Sequence, residues 1–459
     1  MKLRFIGGAS TVTGSCYGLE INELKFLVEC GMRQGSGADE ANRRPLPVPV
    51  SGLDYIFVTH AHIDHSGLLP RAVKDGFKGS IIATPATRDL LEPMLYDSAA
   101  IQESDADWAT KKRLRLGAPP MEPLYTSDDV ANLLTRFDLR PYGKVFHLGG
   151  GVKYRFIDAG HILGSAALEI WFQDSEREKK IVFSGDIGKK GNPIIRDPDA
   201  AGDADYVVME STYGNRSHRP LNESIDELAT AIKTTFKRGG NVYIPSFAVG
   251  RTQDLLYIIN NLVREGRLYR IDVYLDSPLA EEVTRVYAGH PECFDEDARR
   301  FSARSQDYAM RLHYVRSVEE SMALNRLRGG SIIIAGSGMC DGGRIRHHLK
   351  HNLWRPECGV IFVGYQASST LGRKIVDGAK TVNILGEEIL VKAQIYTING
   401  FSAHADRKEL LEWLSSFADS PQVFIVHGED AAAEALGSAI KERYGFTTRR
   451  PKDGDVVEL

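Results

Sequence analysis

The run Thr59-His60-Ala61-His62-Ile63-Asp64-His65 packs four possible metal ligands into one short turn. It follows the apolar stretch Tyr55-Ile56-Phe57-Val58, which reads as a buried strand. A turn at the end of such a strand can hold ligands rigidly and still reach solvent. His60 and His62 lie two apart, so in extended backbone they point to the same side. Asp64 and His65 follow on the turn and can face a second direction. One short loop can therefore serve two metal ions. Imidazole and carboxylate ligands without a thiolate suit zinc in a catalytic role.

Two zinc ions need about four ligands each, counting a shared water and a bridging carboxylate. The chain therefore has to supply a further acid and further histidines, each at a strand end. His161 follows Phe156-Ile157-Asp158-Ala159-Gly160, Asp186 follows Ile181-Val182-Phe183-Ser184-Gly185, and His427 follows Val423-Phe424-Ile425-Val426. Each polar residue comes after an apolar run and beside a turn-permissive glycine. Singly, a histidine next to a strand is usually a hydrogen-bonded structural residue, and an Asp next to Gly a turn former. Their combination and order carry the reading.

The ordered set His60, His62, Asp64, His65, His161 and Asp186 resembles the metallo-β-lactamase superfamily. Three further features resemble the motifs of its β-CASP nuclease branch. They are Glu210 in Met209-Glu210-Ser211-Thr212, His404 in Ser402-Ala403-His404-Ala405-Asp406, and His427 in Val426-His427-Gly428-Glu429. The resemblance spans essentially the whole chain and extends to bacterial and archaeal RNA-processing nucleases and to the nuclease subunit of the mRNA 3′-end cleavage and polyadenylation complex. It departs at Glu29, where such proteins often carry Asp, a position expected behind the ligands rather than among them.

The resemblance implies two Zn²⁺ ions. His60, His62 and His161 would hold one; Asp64, His65 and His427 would hold the other; Asp186 would bridge. It also implies hydrolysis of RNA phosphodiester bonds, endonucleolytic with a 5′–3′ exonuclease activity alongside. Asp64, Asp186, Glu210 and His404 form the expected catalytic set, with His404 as the acid and Glu210 as its partner. A carboxylate beside an imidazolium raises its pKa and fixes its orientation. Ser246, Arg251, Ser337, Arg344, Arg373 and Ser402 are the expected contacts to substrate. Three other readings compete: a DNA-directed member of the branch, a small-molecule metallo-hydrolase, and a non-catalytic scaffold subunit. His427 argues for RNA, a large insertion for a polymer, and the filled ligand positions for catalysis.

The elements that must position these residues are legible in outline. Residues 1–85 alternate short apolar runs with turns, Asp89–Ala100 and Asp107–Leu116 read as helices, and Thr126-Ser127-Asp128-Asp129 reads as a capped helix start. From about 213 strands alternate with helices, beginning at Val242, Ile271, Ser331 and Gly359, which implies a parallel, doubly wound sheet. The expected fold is α/β: a metallo-β-lactamase αββα sandwich over 1–212 and 383–459, interrupted by a β-CASP domain over 213–382. The last part should include the RNA-specificity region. Gly336-Ser337-Gly338 lacks the spacing of a dinucleotide fingerprint, but as a strand-to-helix turn it can offer backbone N–H groups to a phosphate. His347, His348 and His351, on the helix after it, read as surface or phosphate-facing.

Bulk properties constrain less. The formal charge of −4 does not advertise a nucleic-acid binder. Arg344, Arg346, Lys350 and Arg355 nevertheless cluster, with Arg373 and Lys374 nearby in sequence, as a positive groove or as a solvated helix face. The apolar runs are of strand length, so no membrane-spanning helix is expected. Cysteines 16, 30, 293, 340 and 358 are scattered without a CxxC pair, which suits a reducing cytoplasm. Single-stranded RNA is the expected partner, a membrane is not, and a homodimer is compatible with the sequence.

Overall fold

The computed structural model describes residues 1–35, 37–174, 177–269, 271–304 and 308–459. The chain divides into two compact units. The first comprises Met1–Lys190, Arg196–Ser217 and His404–Leu459; the second comprises Gly191–Ile195 and His218–Ala403.

Two seven-stranded sheets build the first unit. From edge to edge the first runs Val456–Glu458, Lys2–Gly7, Cys16–Ile21, Leu24–Val28, Tyr55–Phe57, Ser80–Ala83 and Phe137–Leu139. Its early strands pair antiparallel and its later ones parallel. The second runs Thr447–Arg449, Gln422–Val426, Tyr206–Glu210, Glu178–Phe183, Ala166–Gln173, Val152–Asp158 and Phe146–Gly149. Here too an antiparallel meander continues into parallel pairing.

Side-chain alternation fills the space between the sheets. Leu3, Phe5, Tyr17, Leu19, Phe26 and Phe57 from one meet Tyr154, Phe156, Leu168, Ile170, Phe183 and Phe424 from the other. Phe57 and Tyr154 pack edge to face, with ring centroids 5.0 Å apart. Strands that look uniformly apolar in sequence are covered on both faces. Val208 points into this shared core, while Val207 and Met209 pack with Leu410, Leu414, Leu436 and Ile440 of the helices Arg407–Leu414 and Asp430–Tyr444.

The second unit carries a six-stranded, wholly parallel sheet in the order Arg311–Tyr314, Asp272–Asp276, Ser331–Ala335, Val242–Pro245, Gly359–Phe362 and Gln394–Thr397. Both faces are covered. Val242 and Ile244 join Leu228, Ile232, Leu255 and Ile259 on one side, and Tyr243 joins Ile345, Leu349 and Ile375 on the other.

Three sequence expectations change in detail. The sheet gains strands at both edges, Arg311–Tyr314 and Gln394–Thr397, each too short and too polar to stand out. Because Gln394–Thr397 pairs with Gly359–Phe362, the second unit extends to Ala403, where the sequence placed the return at 383. The two helices expected over 89–116 are one, Pro85–Leu114, continuous through Pro93. The helix Ser127–Leu134 begins with the expected capping box between Thr126 and Asp129.

Candidate metal centre

The expected ligands converge at strand ends of the first unit. The strand Tyr55–Phe57 delivers the loop holding His60 and His62, and the short helix Ile63–Ser66 carries Asp64 and His65. His161 follows Val152–Asp158, Asp186 follows Glu178–Phe183, and His427 follows Gln422–Val426. All of them except His62 and Asp64 are buried.

Their donor atoms form two groups. In the first, His62 Nδ1 lies 3.2 Å from both His60 Nε2 and His161 Nε2, and Asp186 Oδ2 lies 3.3 Å from His60 Nε2 and 3.6 Å from His161 Nε2. A tetrahedral zinc with bonds of about 2.0–2.1 Å requires donor separations of about 3.3 Å. In the second, His65 Nε2 and His427 Nε2 are 3.1 Å apart, and Asp64 Oδ2 lies 3.5 Å from His427 Nε2. The other oxygen of Asp186 lies 3.4 Å from His65 Nε2. Asp186 therefore offers one oxygen to each group.

Electrostatics favour a cation between these donors. Burial pushes His60 down to about 3 and His62 to about 4, and it holds His161 well below the ordinary imidazole value. These are neutral rings turning lone pairs toward one another. Burial would raise Asp186 and Asp64, but the surrounding histidines outweigh it and hold both carboxyls below their usual range. For His65, burial is overcome by Asp186, Glu29 and Asp64, which lift it to about 10 in the metal-free chain.

A supporting ring fixes the imidazoles from behind. Thr59 Oγ1 lies 3.0 Å from His60 Nδ1, Glu29 Oε2 lies 3.4 Å from His65 Nδ1, and Thr212 Oγ1 lies 3.2 Å from His427 Nδ1. Glu29 also accepts the Thr59 backbone N–H through Oε1 at 2.9 Å, so one carboxylate holds His65 and the residue that supports His60. Glu29 and His427 both sit at positive φ, 65° and 46°. That conformation is uncommon outside glycine and is held here by the surrounding structure. Sequence reasoning missed the parts played by Thr59 and Thr212, although each lies within a motif stretch.

Glu210, Asp186 and His404 form a third group. His404 Nδ1 lies 3.3 Å from Glu210 Oε1 and 3.9 Å from Asp186 Oδ2. Burial would push His404 down, but Glu210 and Asp186 lift it to about 9.

The expected substrate contacts occupy the second unit and differ in character. Ser246 and Ser337 follow the paired strands Val242–Pro245 and Ser331–Ala335, and Arg251 opens the helix Arg251–Arg264. Ser337 is tied into its own loop, its hydroxyl accepting the Gly342 N–H at 3.2 Å. Ser402 lies just after the turn Asn399–Phe401, two residues before His404. Arg344 is an internal brace: its guanidinium donates to Asp276 Oδ1 at 2.6 Å and to the carbonyls of Val315 and Arg316. Arg373 pairs with Asp377 on its own helix. Lys350 and Arg355 pair with Glu387 and Glu357, so much of the basic cluster is neutralised locally.

The histidine reading is corrected at one position. His347 and His351 are exposed, but His348 is fully buried, with Nε2 2.6 Å from Asp276 Oδ2. Asp276 thus collects His348, Arg344 and the Ser321 hydroxyl. Its sequence context, a strand-end Asp before Ser-Pro, gave a weak signal for this hub.

Comparison with known proteins agrees with the geometry. Residues 10–231 match the metallo-beta-lactamase superfamily, 252–375 the Beta-Casp domain, and 388–451 the Zn-dependent metallo-hydrolase RNA specificity domain. The chain is 36% identical to Ribonuclease TTHA0252 of Thermus thermophilus over 446 residues, covering 96% of each. It is 30% identical to Transcription termination factor FttA of Methanosarcina mazei and 32% to that of Pyrococcus abyssi, covering all of this chain and 72% and 71% of those proteins. A protein of unknown function from Enterococcus faecalis shares the fold, with a TM-score of 0.59 at 11% identity over 100% of this chain and 99% of that one.

Proposed function

The chain belongs to the metallo-β-lactamase superfamily, in the β-CASP branch with its RNA-specificity domain, and from that premise we propose a two-zinc ribonuclease acting in RNA processing or decay. The observation that carries the proposal is the pair of donor groups sharing Asp186, one with the donor spacing of a tetrahedral zinc site. His60, His62 and His161 would hold one ion and Asp64, His65 and His427 the other, with one oxygen of Asp186 available to each. Bound there, zinc would supply an activated water near neutral pH and positive charge beside the phosphoryl oxygens.

The chain's own residues do the remaining work. Thr59, Glu29 and Thr212 engage the Nδ1 atoms of His60, His65 and His427, leaving each Nε2 for the metal. Glu210 orients His404 and favours its protonated form, placing a proton donor beside the ligand cluster for the departing oxygen. RNA rather than DNA is supported by the RNA-specificity match over 388–451, which includes both His404 and His427. The free, buried cysteines suit a reducing cytoplasm. Among the described residues no helix is long and apolar enough to cross a membrane.

Zinc-loaded protein incubated with RNA and with DNA, each 5′-labelled or internally labelled, tests the proposal. Internal fragments from RNA with DNA intact are expected; DNA cut while RNA survives would reverse it.

A further inference from the structure

From Ala99 onward the helix Pro85–Leu114 is anchored along one side only, whereas its first half is buried more broadly, through Thr87, Leu90, Leu91, Met94 and Leu95. Ala99 and Ala106 are buried, Glu103 accepts the Ser127 N–H at 3.0 Å, and the Thr110 hydroxyl accepts the Met121 N–H at 2.9 Å. At 100° per residue these positions share the inner face. The opposite face carries Ile101, Asp105, Trp108, Lys111, Lys112 and Arg115, spaced three, four and seven apart. Ile101 is 55% exposed and Trp108 69%, with Leu114 at 57% and Leu116 at 77% just beyond. Lys112 Nζ stands 5.8 Å over the Trp108 ring.

Charge is ordered along this stripe. On it Asp105 precedes Trp108, and Lys111, Lys112 and Arg115 follow, with Asp107 and Arg113 on its flanks. Such an order is complementary to itself when reversed. We propose that the stripe is a self-association surface, on which the same stripe of a second copy of this chain packs antiparallel about a two-fold axis at Trp108. Centring the pair there sets Trp108 against its counterpart and Asp105 of each copy against Lys111 of the other. Ile101 then meets the aliphatic stem of Arg115. Closed two-fold pairing of one patch with itself is the commonest symmetry of soluble oligomers. A nucleic-acid strand fits worse, because Asp105 and Asp107 border the aromatic ring.

The stripe from Ile101 to Arg115 is about 21 Å long, at about 1.5 Å per residue. A single helix pair of that length falls below the roughly 1,200 Å² of a standard interface, so the association should be weak, with a Kd of about 10–100 µM.

Sedimentation of the full chain from about 1 to about 300 µM, spanning that Kd, tests the proposal. A monomer–dimer equilibrium is expected for the native protein, and none for Trp108→Asp. Asp105→Lys and Lys111→Asp should each weaken association about fivefold to tenfold alone. Mixed together they should associate better than either alone, since each copy then meets opposite charge. All three sites are exposed, so unchanged thermal melting will show intact folds. A native protein monomeric throughout, a Trp108→Asp variant that dimerises as well as native, or a mixture no better than its components would each overturn the proposal.

Discussion

Glu210 Oε1 stands 3.3 Å from His404 Nδ1 and accepts the Ile187 backbone N–H at 2.7 Å. One oxygen thus positions the imidazole and clamps the residue next to Asp186. His404 and the backbone beside Asp186 are held from the same strand end.

This coupling separates two variants. His404→Ala should keep its zinc and lose about 10²–10⁴-fold in RNA cleavage. On a nitrophenyl phosphodiester, whose leaving group hardly needs a proton, the same variant should be nearly normal. Equal losses on both substrates would assign His404 to substrate positioning.

Asp186→Ala should fail at an earlier stage. With one oxygen facing each donor group, its removal should weaken both, and metal analysis after dialysis should find far less than the two equivalents expected of the native protein. His427→Ala should retain about one. Full zinc content in Asp186→Ala would rule out the bridging role.

Glu29→Ala leaves every ligand in place but removes the carboxylate behind His65 and Thr59. Zinc affinity at the site formed by Asp64, His65 and His427 should fall about 10–100-fold, measured by competition with a chelator. An unchanged affinity would show that the fold alone orients His65.

Asp276 tests stability away from the metals. Burial raises its carboxyl, but His348, Ser321 and Arg344 outweigh it and hold the pKa below the ordinary value. A carboxylate depressed in the folded state contributes stability that is fully present above the unfolded value near 3.9, and that is lost as pH falls through the folded value. Asp276→Ala should therefore lower stability at pH 7 by about 3–5 kcal/mol, with zinc content unchanged. Denaturant unfolding checks this, and a loss under about 1 kcal/mol would make the network dispensable.

The convergence of the candidate ligands was legible in sequence because each follows an apolar strand, and a short loop gathers four of them. Glu210 and His404 were legible only through motif resemblance, since nothing in their spacing brings together residues 194 positions apart. The role of Thr212 depends on tertiary proximity to His427, 215 positions away, whereas Thr59 acts on its immediate neighbour His60 through a side-chain orientation that residue spacing does not encode. Arg344 and His348 misled for the same reason: a cationic and a polar residue on a helix normally face water, and only the packed position of Asp276 turns them inward. The edge strands Arg311–Tyr314 and Gln394–Thr397 carry exposed polar side chains and lack the apolar runs of their central neighbours.

His65 and His427 touch across 362 residues of chain, with the whole second unit between them. At about 5–20 residues per second, a ribosome needs on the order of 20–70 s to travel from one codon to the other. Until that interval ends the nascent chain lacks His427, the residue that joins Asp64 and His65 in the second donor group. The order of synthesis thus fixes the order of assembly: the group of His60, His62, His161 and Asp186 can gather first, and the group of Asp64 and His65 waits until translation has passed the entire second unit.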